Sequence, residues 1–284
     1  MLELTKIRIT MLVALTTSLG YILALNDLSS YSFYPVIGIF LLACGAAAMN
    51  HYQERGTDIL MDRTKGRPIP SGTVTPFFVI SVSVVFLIAG SAVLLLKSNL
   101  LCLYIGLFTF LWYNGVYTPL KKVMALAIIP GSLVGALPPM AGWVAAGGSL
   151  TNETIILIAS YFFIWQIPHF WILLLVYGKD YDRGGFPTLT NMLSQRQLIK
   201  ITFTWILLTV AVALSINFFG ILNYYVSNAL LAVFCFWIFT RAIKFLDRTG
   251  DKSSFRNMFI SINIFTLLII TLLSVDKLVK LFLE

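Results

Sequence analysis

Nine nearly charge-free stretches, each about the 20 residues needed to cross a bilayer, dominate this chain. They lie near 7–25, 31–52, 75–96, 99–118, 124–146, 153–177, 199–219, 222–243 and 257–275. In hydrocarbon every backbone N–H and C=O must be satisfied within the segment, so runs of this length predict helices. The chain is 58% hydrophobic and 11% charged, with a mean hydropathy of +0.88, against roughly a quarter charged in soluble domains. A soluble globular fold is thereby excluded, as are disorder, collagen and a disulfide scaffold. Cys44, Cys102 and Cys235 each sit inside an apolar run with no paired spacing, which predicts core packing and no zinc or redox site. The opening MLELTKIRIT enters the first stretch without a small-residue cleavage site, so the first helix is expected to be retained. The expected fold class is an all-α integral membrane protein, one transmembrane domain over 1–284.

Charge gives this bundle an orientation. With alternating spans, all 20 Lys and Arg except Lys97, Lys277 and Lys280 fall on the side of the N-terminus. Among them are Arg241, Lys244, Arg248, Lys252 and Arg256 between the last two spans. The positive-inside rule makes that side cytoplasmic and leaves the C-terminus opposite, with a prokaryotic cell membrane as the expected location. The net charge of +8 is read as this loop bias, so no nucleic-acid partner is expected. Two connections on the basic side, 53–74 and 178–198, are long, polar and rich in Gly, Pro and acids, which in compact folds marks function.

Five of the 12 acidic residues lie in those two connections: Glu54, Asp58, Asp62, Asp180 and Asp182. Asn50, Glu54, Asp58 and Asp62 follow at steps of four, so a helix continued through them would place four oxygen ligands on one stripe turning about 40° per step. A carboxylate at mid-bilayer costs on the order of 2.5–3.5 kcal/mol, so the row belongs at a helix mouth or in a polar cavity. Hard oxygen donors without thiolate or paired histidine suit Mg²⁺, which binds through carboxylates and substrate phosphates. Asp180 and Asp182 emerge from the sixth span on the same side. Arg63, Arg67, Lys121, Lys122 and Arg183 share that face and suit diphosphate oxygens. Against this stand two plainer readings: charges that merely solvate loops, and a cation or metabolite transporter. A transporter needs ionisable groups near mid-membrane, whereas these lie at the helix ends.

The stretch N-x3-E-x3-D-x2-M-D-R-T-x2-R-P from Asn50 to Pro68 resembles the first acidic motif of the UbiA superfamily of intramembrane prenyltransferases, and within it the haem O synthase branch. LTKIRIT at 4–10, YTPLKK at 117–122, GSLVGALPPMAGW at 131–143, WQIPHFW at 165–171 and DYDRGGFPTL at 180–189 are similar to further segments of that branch, in matching order. Glu54 stands where the pattern has Asp, Ile7 where it has Pro, and Phe186-Pro187-Thr188-Leu189 where it has Pro-Met-Leu-Pro.

The resemblance implies nine helices around a central cavity, a cap made from loops 53–74, 119–123 and 178–198, and Mg²⁺-dependent prenyl transfer. The branch implies farnesyl diphosphate as donor and haem b as acceptor; an aromatic or quinone-precursor acceptor is the alternative. Matched positions give Asn50, Glu54, Asp58 and Asp180 the catalytic metal site, with Asp62 and Asp182 as further ligands. Tyr113, Tyr117, Trp165, Phe170 and His169 are candidates for the prenyl or acceptor pocket, since aromatic faces stabilise an allylic cation by about 0.5–2 kcal/mol each. His169, about three turns before Asp180, is also a candidate iron ligand, weighed against a hydrogen-bonded histidine between helices. His51 either meets diphosphate or faces solvent. Pro138-Pro139 is expected to break or loosen the fifth span, with Gly131, Gly135 and Gly142 beside it allowing close packing. RPIPSG at 67–72 lacks the histidine of the lipid phosphatases it superficially resembles, since Thr73 follows.

Overall fold

The computed structural model describes residues 1–247 and 252–283, so Arg248 lies outside the described residues. Within these it is all helical, with nine helices long and apolar enough to span a membrane. We label them α1 (Ile7–Ala24), α2 (Tyr34–Asp58), α3 (Pro76–Lys97), α4 (Leu100–Leu120), α5 (Ile128–Ala145), α6 (Glu153–Arg183), α7 (Gln195–Phe218), α8 (Tyr225–Leu246) and α9 (Lys252–Leu283). Each helix packs on its chain neighbour, and α9 closes the ring against α1 and α6.

Lipid tails are as apolar as leucine, so what joins spans is close fit. The tightest seams lie where glycines let backbones meet. A Cβ on Gly142 would overlap the carbonyl oxygen of Thr17, and one on Gly20 would overlap that of Pro139, so α1 and α5 touch backbone to backbone. Along α2 and α3, Ser83 Oγ donates to the Gly45 carbonyl at 2.8 Å. A large cluster including Tyr161, Phe245, Phe255 and Phe265 fills the space among α6 to α9.

Three boundaries differ from the apolar pattern, each for a local reason. α6 runs on to Arg183, so Asp180 and Asp182 stand on its last turns and not in a loop. α2 ends at Asp58, where the chain turns through Met61 and Thr64, so the stripe loses Asp62. α5 breaks at Ser132, between Ile128–Gly131 and Leu133–Ala145, while Pro138 and Pro139 lie inside its continuous second part. The proline pair therefore does not make the break. It sits in the glycine-lined seam with α1 that holds the helix in line, and the Gln166 side chain of α6 fills the notch at Gly135.

Candidate active site

Asn50, Glu54 and Asp58 occupy successive turns at the end of α2 and are 0%, 5% and 0% exposed. Polar and acidic groups this deep need partners, and each has a cation from another segment. Lys6, at the start of α1, donates to Asn50 Oδ1 at 2.6 Å. Lys121, at the end of α4, pairs with Glu54. Arg67 Nη1 donates to both carboxylate oxygens of Asp58, at 2.7 and 2.8 Å, and lies 3.8 Å from Glu54. Thr64 Oγ1 donates to the Asp58 carbonyl at 3.0 Å, tying down the turn that brings Arg67 back.

Asp180 is joined to this turn directly, since the Arg63 backbone N–H donates to Asp180 Oδ2 at 3.2 Å. The Arg63 guanidinium lies over Tyr177 and Tyr181, at 5.2 and 5.7 Å from the ring centroids. Met61 packs beside Gly184, and Phe186 lies 5.8 Å from Lys121 Nζ. The exits of α2, α4 and α6 thus meet on one side of the bundle.

Asp62 is exposed and paired with Lys65 and Arg183, which hold its carboxyl below the usual aspartate range. Asp182, also exposed, accepts from Thr188 Oγ1 at 3.1 Å. Both lie outside the buried stripe. Lys122 points away from it and donates to the Gln53 carbonyl at 3.0 Å, whereas Lys121 turns inward. His51 is buried, with neither ring nitrogen hydrogen-bonded, which corrects the solvent-facing reading.

Two features of the site escaped sequence reasoning. Lys6 takes the left-handed conformation, φ 48° and ψ 50°, at a cost of ~1–3 kcal/mol for a side chain with a Cβ. Burial pushes its ammonium down to about 7, partly offset by Glu54. In the sequence Lys6 is one more residue of the basic-side bias. The second feature is a π-helical turn, Trp112–Tyr117, inside α4. It sets Thr118 Oγ1 between Asn50 Nδ2, from which it accepts at 3.1 Å, and the Tyr113 carbonyl, to which it donates at 2.8 Å. Asn50 is therefore held at both ends of its amide. The turn also stacks Tyr113 and Tyr117 at 5.8 Å, with Lys121 Nζ 5.5 Å from the Tyr117 ring. Gln53 Oε1 and Asn114 Oδ1 are buried here without a partner, so this mouth holds polar capacity that the protein alone does not satisfy.

Deeper in α6, about 16 Å from Asp180 at 1.5 Å per residue, His169 packs between Trp165 and Phe259, each 4.8 Å away, with Phe170 at 5.3 Å. Trp165 Nε1 donates to the Ile262 carbonyl of α9 at 3.1 Å, while His169 Nδ1 is buried and unpartnered. Among the described residues no three His, Cys, Asp or Glu side chains converge as a ready metal cage. The carboxylates are instead held by Lys and Arg.

A family model described as the UbiA prenyltransferase family matches residues 13–263. The chain is 39% identical over 199 residues to "Protoheme IX farnesyltransferase" of Solibacter usitatus, covering 66% of this chain and 68% of that one. It is 32% identical over 267 residues to the protein of the same name from Flavobacterium psychrophilum, covering 92% and 88%. Among solved structures, a digeranylgeranylglyceryl phosphate synthase superposes with a TM-score of 0.77 at 14% identity, over 97% of this chain and 96% of that one. A UbiA homolog from Archaeoglobus fulgidus, bound to DMAPP and Mg²⁺, does so at 0.70 and 15%, over 97% and 98%. At these identities the two structures establish the shared fold.

Proposed function

This chain belongs to the UbiA prenyltransferase family and is an integral multi-pass membrane prenyltransferase, and from that premise we propose that it transfers the farnesyl group of farnesyl diphosphate to a vinyl carbon of haem b. The acceptor and donor rest on the likeness to proteins named protoheme IX farnesyltransferase. The observation that carries the site is the buried Asn50, Glu54 and Asp58 stripe, cation-balanced and joined to the Asp180 helix end through Arg63.

The donor set fits a hard divalent cation: amide and carboxylate oxygens, unpartnered amide oxygens alongside, and all three cysteines buried in other parts of the bundle. Asn50, Glu54, Asp58 and Asp180 would hold Mg²⁺, which supplies charge neutralisation for the departing diphosphate. Asp62 and Asp182 are left to organise the rim with Arg183 and Thr188. Arg67 and Lys121, now held by carboxylates, are placed to exchange onto phosphate oxygens as substrate enters, with Arg63 and Arg183 at the entrance. The C1–O bond of the donor breaks and its electron pair leaves with diphosphate. The vinyl group forms the new bond to C1, and water adds to the adjacent carbon with loss of a proton. Tyr113 and Tyr117 beside Lys121 face the allylic charge as it forms.

His169 is the candidate iron ligand, an imidazole whose Nδ1 is unpartnered among aromatic rings. His169→Ala should weaken haem binding in a spectroscopic titration, and unchanged affinity would make its role structural. The charge bias of the sequence supports a site and an N-terminus on the cytoplasmic side of a prokaryotic cell membrane.

The test is incubation of the purified protein with haem b, farnesyl diphosphate and Mg²⁺, followed by mass analysis. Hydroxyethylfarnesyl haem and released diphosphate are expected. Product with a quinone precursor and none with haem would refute the acceptor.

A further inference from the structure

Gln166 sits inside α6, yet its amide makes no hydrogen bond among the described residues. Its Oε1 rests instead against the backbone of α5 at Gly135, in a space that a Cβ would fill. The side chain is thereby seated, and Nε2 carries two N–H groups without a protein acceptor. An amide held within a span without a partner costs ~1–3 kcal/mol, so this one is matched to something that enters the cavity.

The notch contains a second unmatched group. In a regular helix the Gly135 carbonyl would accept from the N–H three or four residues on. Those positions are Pro138 and Pro139, and neither has an N–H. The carbonyl is left with no helical donor in either register. A free amide donor beside a free carbonyl, presented by facing helices, suits a bound water molecule, which needs about two to four polar partners.

The place of the notch indicates which water. One turn before Gly135, Gly131 lies against the Tyr117 ring, so the notch is about 6 Å further in than the tyrosine pair beside Lys121. On α6, Gln166 precedes His169 by three residues and shares its face. The notch thus stands between the rings that face the allylic charge and the candidate iron ligand, where the reacting vinyl group lies when its terminal carbon meets farnesyl C1. Forming that bond moves the positive charge onto the vinyl carbon next to the porphyrin ring. This cation has two exits. It can take a water oxygen, forming the C–O bond of a hydroxyethyl group, with the water's proton passing to the diphosphate released in the first step. Alternatively, it can lose a proton from the neighbouring carbon and become an alkene. The first exit wins only where a water is already in place.

We propose that Gln166 Nε2 and the Gly135 carbonyl hold the water that adds to the acceptor cation. Gln166 is then a positioning residue for the second step of the transfer, an inference that rests on haem b being the acceptor.

The test is the product ratio of the full-length protein supplied with haem b, farnesyl diphosphate and Mg²⁺. Mass analysis separates hydroxyethylfarnesyl haem from the alkene, which is lighter by one water molecule. Gln166→Met removes the amide at nearly equal length, and Pro139→Ala gives the Gly135 carbonyl the N–H it lacks. Each should lower the ratio of hydroxylated product to alkene by about tenfold, as expected for one hydrogen bond to the water. A merely structural role would lower both products together and leave their ratio alone.

The wild-type ratio in either variant would overturn the proposal. So would loss of both products from a Gln166→Met protein that melts like the parent, which would assign Gln166 to acceptor binding or ionisation. Where Gln166→Met melts early, the Pro139→Ala ratio decides. A wild-type protein that farnesylates no haem would refute the acceptor and this inference with it, whereas farnesylated haem at an unchanged ratio refutes the inference alone.

Discussion

The Asp58–Arg67 pair allows stability and catalysis to be separated. Asp58 is fully buried, and both its carboxylate oxygens accept from Arg67 Nη1, at 2.7 and 2.8 Å. Removing Arg67 leaves Asp58 as an uncompensated buried charge, which typically costs ~3–5 kcal/mol, and removing Asp58 leaves Arg67 with only its longer contact to Glu54 at 3.8 Å, whereas replacing both by apolar residues of similar size is close to neutral or stabilising. Glu54 keeps Lys121 in either case, so the double change strands no charge. We therefore expect Asp58→Ala and Arg67→Met each to melt well below the wild-type protein in detergent. Asp58→Leu combined with Arg67→Met should melt at or above it. Farnesyl transfer should be lost in all three, because the oxygen ligand is gone or the phosphate partner is. The assay pairs a thermal melt with mass detection of product. A double variant as unstable as the single ones would refute the charge-compensation argument, and near-normal turnover in Asp58→Ala would refute the assignment of the site.

Thr118→Val removes the hydroxyl that holds the Asn50 amide, and should lower kcat by about tenfold, the scale of one ordinary hydrogen bond, with Thr118→Ser restoring it; equal activity in all three would dismiss the positioning role. Gly142→Ala places a methyl group against the Thr17 carbonyl and should cost ~1–3 kcal/mol by forcing α1 from α5, whereas Gly66→Ala, which meets nothing, should melt like the parent protein. On the opposite membrane side, Asp276 is buried and accepts from Asn223 N and Nδ2 and from Tyr224 N, holding the α7–α8 connection. Asp276→Ala should lower the melting temperature, at ~1.5–3 kcal/mol for a hydrogen bond to a charged group, yet leave KM for farnesyl diphosphate unchanged; a shifted KM would tie that end of the bundle to the active site.

The spans were legible because hydrocarbon imposes a single requirement on length and polarity, and the run from Pro76 to Lys97 meets it without ambiguity. The ends were less so, since a helix that leaves the membrane continues on capping and hydrogen bonding that hydropathy does not register. α6 carries Lys179, Asp180, Asp182 and Arg183 as helix, where the polarity alone reads as loop. The start of α7 had a readable signal in its Ser194 and Gln197 capping box, four residues before the apolar run becomes evident. Within the site, spacing gave Asn50, Glu54 and Asp58 because a period of four is a property of the chain. Asp62 fell off the stripe because Thr64 and Arg67 close a turn onto Asp58 and its backbone, a fact of three dimensions. Lys6 and Thr118 act through pairings 44 and 68 residues apart, which no local pattern contains.

Those distant pairings also explain how an acidic stripe can persist inside a membrane protein. Carboxylates at Glu54 and Asp58 would be prohibitively expensive alone, and waiting for a metal ion before folding would expose them during insertion. Lys121 and Arg67 remove that difficulty by satisfying the acids from within the chain. In the proposed reaction the same cations would serve the incoming diphosphate. In that reaction each carboxylate would exchange a cationic side chain for metal and each side chain would exchange a carboxylate for a phosphate oxygen, which would keep the buried charges compensated. Such an exchange requires the basic partners to be mobile in place and the acids to be rigid. The acids and the bases come from different elements: Asn50, Glu54 and Asp58 stand on the continuous α2, while Arg67 comes from the following turn and Lys121 from the end of α4, just beyond its π-helical segment.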